Sequence, residues 1–318
     1  MLNIASWNVN GWTNNNSILR EEIIKCLNCD IICLSETHLT AGKNIEIPGY
    51  TWRGNNRRKH VNAVKGSGGV GILFKDHILE TQEITYMDKS MEGIITMNLK
   101  DKHTDFEILI ICGYLPPENS PHSRNSTDFF AYILTQLYMN YDADFVLVCG
   151  DFNCRTGSLQ DIIIDIDDIP LRDILDEQKN NFGDNFIDFL NDSKLCMLNG
   201  RICKEYNNFT SISTKGKAVV DYMLTFHDCL NKCKLFKVNT MSNIIDNFNL
   251  YRLISEQCKP PDHSILTVSV DCMHGFLSEN IQSTLRETDT NDQLNKERLI
   301  QVNTFDQQRI NVDRLIQC

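Results

Sequence analysis

FVLVCGDFN, residues 145–153, decides the fold. Five apolar residues run without alternation and stop on Gly150, Asp151 and Asn153. A strand that alternates apolar and polar side chains is covered on one face, whereas a continuously apolar one is covered on both. This segment therefore predicts a strand inside a layered α/β protein, with an acid and an amide delivered at its end.

The same event repeats in both directions from there. LNIASWNV (2–9) predicts a strand that ends among Asn8, Asn10 and Gly11, and DIICLSE (30–36) predicts another ending on Glu36. FEILIICGY (106–114) ends on Tyr114, and Pro116 and Pro117 then break the chain. Further strands are expected at 70–74, 92–99, 195–198, 218–225 and 264–270. Helices are expected at 17–27, capped by Ser17, at 127–139 and at 184–193. Residues 155–183 read as a polar, acidic excursion with weak structure. In KAVVDYML, Asp221 interrupts an otherwise apolar strand, and a buried acid costs several kcal/mol unless it is paired or bound to metal. Asp262 and His263 follow Pro261 just ahead of the last strand.

Layered α/β proteins collect chemistry at strand ends, where the sheet holds side chains rigidly and the loops leave space. Carboxylates there suit a hard divalent cation, a histidine can move or position a proton, and amides and a tyrosine hydroxyl suit phosphate oxygens. Each residue also has a plainer reading. Glu36 and Asp151 can be loop acids, Asn8 and Asn10 turn formers, Tyr114 a packed aromatic and His263 a turn residue.

Composition narrows the class. The chain has 318 residues, 42% hydrophobic and 23% charged, enough for a substantial core. It has no apolar run long enough for a transmembrane helix, and its first residues lack the pattern of a signal peptide, so a nuclear or cytoplasmic, non-secreted protein without a membrane partner is expected. Thirteen scattered cysteines, an odd number, predict reduced thiols. Cys26 with Cys29 and Cys229 with Cys233 make a poor zinc set, because no histidine follows at finger spacing. The formal charge is −11, from 42 acids and 31 bases, which weighs against nucleic acid as a partner. The distribution weighs the other way. Residues 161–192 hold ten acids and two bases, 194–237 hold eight bases and three acids, and Arg53, Arg57, Arg58, Lys59 and Lys65 form another basic run.

Taken in order, SWNVNG (6–11), LSETHL (34–39), CGYLPP (112–117), VCGDFNCRTG (149–157), VVDYML (219–224) and PDHSIL (261–266) resemble the endonuclease/exonuclease/phosphatase superfamily. GDFN is moderately specific and the other segments are weak singly; six in order across about 260 residues are strong. The resemblance implies a four-layer α/β sandwich of the DNase I-like type, with two central sheets flanked by helices, over residues 1–272. Residues 273–318 are then a polar linker or helix fragment, the start of a downstream region. MLNGR (197–201) and FTSISTKGKAVVDYML (209–224), with the very early first strand, look like the endonuclease domain at the N-terminus of non-LTR (LINE-type) retrotransposon polyproteins. In such polyproteins a reverse transcriptase follows, and the 318 residues contain no polymerase motif of the YxDD type.

The resemblance implies a Mg²⁺-dependent DNA endonuclease, with Mn²⁺ as a substitute. It would nick double-stranded DNA to 3′-hydroxyl and 5′-phosphate ends and act as a monomer. Glu36 is then the principal metal ligand, helped by Asn10 or Asp262. Asp151 activates the attacking water, Asn8 orients Asp151, Asn153 and Tyr114 contact the scissile phosphate, and Asp221 orients His263. Arg57, Arg58, Arg201, Lys215 and Lys217, read from charge and location in loops, are candidates for contacts to the DNA backbone. Two departures stand out. Pro261 replaces the usual serine and removes a hydroxyl and an N–H, and Asn10 stands where abasic-site enzymes often carry aspartate. The alternatives are an abasic-site repair nuclease, whose usual arginine before the Asp-Tyr strand is missing, and a decayed, non-catalytic retroelement fragment. A secreted DNase or sphingomyelinase would bring a signal peptide, and an inositol phosphatase a tryptophan- and arginine-bearing segment where KAVVDYML stands.

Overall fold

The computed structural model describes residues 1–13, 15–57, 66–123 and 125–272. The tail at 273–318, expected as a linker, lies outside them, as do Arg58, Lys59 and Lys65. Two mixed six-stranded sheets stack face to face. In the first, β1 (Leu2–Asn8) pairs in parallel with β2 (Ile31–Ser35). Outward from β2 come β4 (Val70–Lys75) and β3 (Tyr50–Asn55), and outward from β1 come β14 (Ile265–Val270) and β13 (Cys233–Asn239), all antiparallel. The second sheet repeats that plan. Its central parallel pair is β7 (Glu107–Tyr114) and β8 (Phe145–Asp151). β6 (Ile94–Asp101) and β5 (Gln82–Asp88) flank one side, and β12 (Asp221–Phe226) and β9 (Leu195–Met197) the other.

Side-chain alternation explains the continuous apolar runs. In β2, Ile31 and Cys33 pack between the sheets, whereas Ile32 and Leu34 face outward onto α1 (Ser17–Leu27) and α5 (Met241–Phe248). In β8, Phe145, Leu147 and Cys149 face inward, and Val146 and Val148 meet α3 (Ser126–Met139) and α4 (Asn181–Ser193). The layers are therefore helix, sheet, sheet, helix, and the expected sandwich is what forms. A short α2 (Asp76–Thr81) links β4 to β5.

Three local expectations change. Ser17 opens α1 but does not cap it; Asn16 holds the cap position, and its side chain instead accepts from the Thr13 N–H and donates to the Gly11 carbonyl. α4 begins at Asn181, three residues early, because Asn180 caps it by accepting from the Gly183 N–H at 2.9 Å. The expected strand at 218–225 divides. Gly216–Ala218 form β11, paired only with β10 (Ser211–Ser213) in a separate two-stranded ribbon, and β12 starts at Asp221. Asp221 thus opens a strand rather than interrupting one. The break arises because the Val219 N–H is bound by Asp176 and the Val220 N–H by the Thr210 hydroxyl.

The excursion at 155–180 is mostly irregular and is tied down by charge. Arg155 grips Asp176 through two guanidinium nitrogens, and Asp161, fully buried, lies between Arg201 and Arg172. The cysteines among the described residues are free thiols, and no helix among those residues is long and apolar enough to cross a membrane.

Candidate active site

Topology gathers the polar strand ends at one end of the sandwich. β1 and β2 are parallel and end together at Asn8 and Ser35, and Glu36 follows at once. β7 and β8 end together with Tyr114 opposite Asp151. β12 runs antiparallel to β8, so its first residue, Asp221, also lies opposite Asp151. β14 runs antiparallel to β1, and His263 sits two residues before it begins.

The centre is buried. Asn8 Nδ2 donates to Asp151 Oδ2 at 2.8 Å, and the Asn153 N–H donates to Asp151 Oδ1 at 3.1 Å. His263 Nδ1 meets Asp221 Oδ2 at 2.8 Å. Ligand atoms of Asp151, Asp221 and His263 all lie within 4.8 Å of one another. Burial, then the neighbouring Asp221 and Glu36 charges, push the Asp151 carboxyl well above the ordinary carboxylate range, against the pull of His263 and Asn8. Burial alone would lower His263; Asp221, through its charge and hydrogen bond, with Asp151 and Asp262 adding, raises it instead to about 10.

Toward solvent the site opens. Glu36 leaves β2 with φ 49° and His38 follows with φ 55°, both left-handed conformations that cost non-glycine residues energy. His38 Nε2 stands 3.4 Å from Glu36 Oε2, and Tyr114 hydrogen-bonds the same carboxylate. Burial raises Glu36, but the His38 and Tyr114 hydrogen bonds and the His38 and His263 charges outweigh it, and its carboxyl falls below the ordinary value. Burial and the Glu36 and Asp151 charges push the Tyr114 hydroxyl far up, so it stays a proton donor at neutral pH. Asn10, exposed and also left-handed at φ 46°, donates to Asp262 at 3.4 Å. Asn153 (φ 50°) turns its amide to the Leu115 carbonyl at 2.9 Å.

Asn8, Asp151 and Asn153 thus form one hydrogen-bonded group, Asp221 and His263 a second, and Asn10 with Asp262 a third at the rim. The atoms that converge most tightly belong to Asp151, Asp221 and His263, a different set from the expected metal trio of Glu36, Asn10 and Asp262. A divalent cation suits the donor chemistry as a whole. Glu36 is an ionised carboxylate, and the mutual repulsion of Glu36, Asp151 and Asp221 is what a nearby positive charge would relieve.

Beyond Pro261, backbone bonds tie residues 262–264 to residues 210–212. The Ile212 N–H donates to the Asp262 carbonyl at 2.8 Å, the Ser264 N–H to the Thr210 carbonyl at 2.7 Å, and Ser211 bridges to His263. Four supporting residues escaped the sequence reading. The Thr210 hydroxyl accepts from the Asp221 N–H, and Asn199 Nδ2 donates to the Asp221 carbonyl. Buried Arg20 donates from Nε to the Val9 carbonyl at 2.8 Å and so braces the Asn8–Asn10 loop from behind. His38 is the fourth. Thr210, Asn199 and His38 stand in FTSIS, MLNGR and LSETHL, segments already singled out; Arg20 carries no motif signal of its own.

The basic candidates separate. Arg201 is not free to contact DNA: its side chain is 1% exposed, pairs with Asp161 through two nitrogens and donates to the Pro170 carbonyl. Arg57 pairs with Glu92 and reaches Ser67 and His122. Lys215 and Lys217 are exposed on the β10–β11 ribbon, with Lys217 over the Phe209 ring. Arg58 lies outside the described residues.

Carboxylates, amides, a tyrosine and a histidine thus converge at one end of an α/β sandwich. The family model described as "Endonuclease/Exonuclease/phosphatase family" matches residues 5–229, and the chain belongs to that family. No curated protein matches the sequence. Among solved structures, an AP endonuclease from Archaeoglobus fulgidus is similar at 17% identity and TM-score 0.58, covering 85% of this chain and 100% of that one. A 3′ phosphatase from Neisseria bound to product DNA hairpin gives 16% identity and TM-score 0.58 over the same shares. The AP endonuclease LMAP from Leishmania major gives 12% and 0.62, covering 84% of this chain and 86% of that one. At these identities the likeness is one of fold.

Proposed function

We propose that the chain is a divalent-cation-dependent DNA endonuclease that hydrolyses one phosphodiester of duplex DNA, leaving 3′-hydroxyl and 5′-phosphate ends. The observation that carries this reading is the buried Asp221–His263 pair set within 4.8 Å of Asp151. A phosphodiester resists attack because it is anionic, and the site answers with donors and a proton acceptor fixed in place. Asp151, held by Asn8 and the Asn153 N–H, takes the proton of the attacking water. His263, kept cationic by Asp221, faces the developing negative charge on the phosphoryl oxygens. Tyr114 donates to a non-bridging oxygen, and the Asn153 amide turns from the Leu115 carbonyl to a second. Glu36, with Asn10 and Asp262, would hold Mg²⁺ or Mn²⁺, which supplies Lewis-acid charge neutralisation at the phosphate. Arg57, Lys215 and Lys217 contribute to backbone binding.

The finer reading is an endonuclease of a LINE-type retroelement, supported by MLNGR and by FTSISTKGKAVVDYML in the ribbon and β12. A free 3′-hydroxyl would then prime reverse transcription by a polymerase encoded downstream. A second reading, an abasic-site repair nuclease, is favoured by the AP endonucleases among the similar folds. Cleavage of two duplexes in Mg²⁺ separates them, one intact and one carrying a single abasic site. Comparable nicking of both supports the retroelement reading. Cleavage confined to the abasic site supports repair, and cleavage of neither rejects both.

A further inference from the structure

His38 is placed with a precision that its surface position does not require. It adopts φ 55°, two residues beyond Glu36 at φ 49°, so the chain spends backbone strain twice to aim both side chains. Its backbone is clamped: the His38 N–H donates to the Gly68 carbonyl at 2.8 Å, and the carbonyl lies where a Cβ on Gly66 would fall. Its ring is seated against the loop after β1. A Cβ built on Gly11, itself at φ 88°, would come within 2.7 Å of His38 Nδ1. With the Nδ1 edge on Gly11, Nε2 is left pointing at Glu36 Oε2, 3.4 Å away. The ring is only partly exposed, at 28%.

We propose that His38 is a positioning residue for the metal-binding carboxylate: through its Nε2–H it holds Glu36 in the rotamer that receives a divalent cation. This rests on the metal-dependent reading of the site given above. Tyr114 restrains Glu36 from the second sheet and His38 from the first, so the carboxylate is fixed before any ion arrives. Hydrogen bonds of this kind to a ligand carboxylate change metal affinity by about 10–100-fold.

The test is direct binding of Mn²⁺, measured without substrate, to the wild type, Glu36→Gln, His38→Asn and His38→Gln. Asparagine tolerates the left-handed backbone but is too short to reach Glu36, whereas the glutamine amide stands near the place of Nε2. The expected result is Mn²⁺ affinity about 10–100-fold weaker in His38→Asn and close to wild type in His38→Gln, with the metal-free melting midpoint unchanged in His38→Asn and modestly lowered by backbone strain in His38→Gln. Wild-type affinity in His38→Asn, or equal loss in both His38 variants, overturns the proposal while leaving the metal reading intact. Wild-type protein that binds no more Mn²⁺ than Glu36→Gln overturns the metal reading itself, and this proposal with it.

Discussion

The two halves of the site are built on opposite principles. The inner half, Asn8, Asp151, Asp221 and His263, is almost fully buried and joined by short hydrogen bonds. Behind it, Thr210 and Asn199 fix the Asp221 backbone from two further segments. The outer half, Asn10, Glu36, His38 and Asp262, is partly open, places its first three residues in left-handed backbone and carries the longer contacts, at 3.4 Å. A buried, hydrogen-bonded network fixes orientation before substrate arrives, which electrostatic preorganisation requires. An open cluster of oxygens can exchange water for a cation and release it. The inner half should therefore govern chemistry and stability together, and the outer half metal affinity alone.

The largest expected effect is in the inner half. Asp151→Asn should lower the nicking rate by about 10²–10⁴-fold, the range for loss of a general base. It should also raise the melting temperature of metal-free protein, because a carboxyl pushed well above its ordinary range is costly to ionise in the fold at neutral pH. Lost activity with an unmoved melting temperature would separate chemistry from stability at Asp151, and the division between halves would blur.

Next comes a control outside the site. Arg201→Ala leaves Asp161 buried without its principal partner and should cost roughly 3–5 kcal/mol in chemical denaturation. Lys217→Ala should leave stability unchanged and reduce the slope of DNA affinity against salt by about 1. Exchanged outcomes would return Arg201 to the DNA-binding surface.

The Asp221–His263 pair gives a pH signature. His263 rises from 6.5 to about 10 in the fold, so the stability from its pairing is fully present below 6.5 and is lost as pH rises from there through about 10. Asp221→Asn should flatten that part of the stability profile. An unchanged profile would show that the pair does not hold the extra proton.

The smallest effect belongs to the rim. Asn10→Asp adds a carboxylate beside Asp262 and should tighten Mg²⁺ binding several-fold while barely moving the melting temperature. Weaker binding would place Asn10 outside the metal site.

The same contrast explains what the sequence disclosed. Interior strands such as β2 and β8, covered on both faces, are continuously apolar and legible from pattern alone. The edge strands β3, β5 and β13 were not. Gln82–Asp88 alternates half-buried and exposed residues, and Cys233–Asn239 carries Lys234 and Lys237, so neither shows the continuous apolar run of an interior strand. Within the site, side chains at strand ends were legible because a polar residue closes an apolar run. His38, Asn199 and Thr210 act one bond further out, and only the folded register shows what they touch. Arg201 misled for the converse reason: its partner, Asp161, lies 40 residues away in the irregular excursion.

The most direct test of the central claim is nicking of supercoiled plasmid by purified protein in Mg²⁺, with EDTA and His263→Ala run beside it. Nicking by the wild type that disappears in EDTA and falls at least about 10²-fold in the variant is the expected result. Nicking that persists in the variant, or none by folded wild type in Mg²⁺ or Mn²⁺, would contradict the account of this site as a metal-dependent DNA endonuclease.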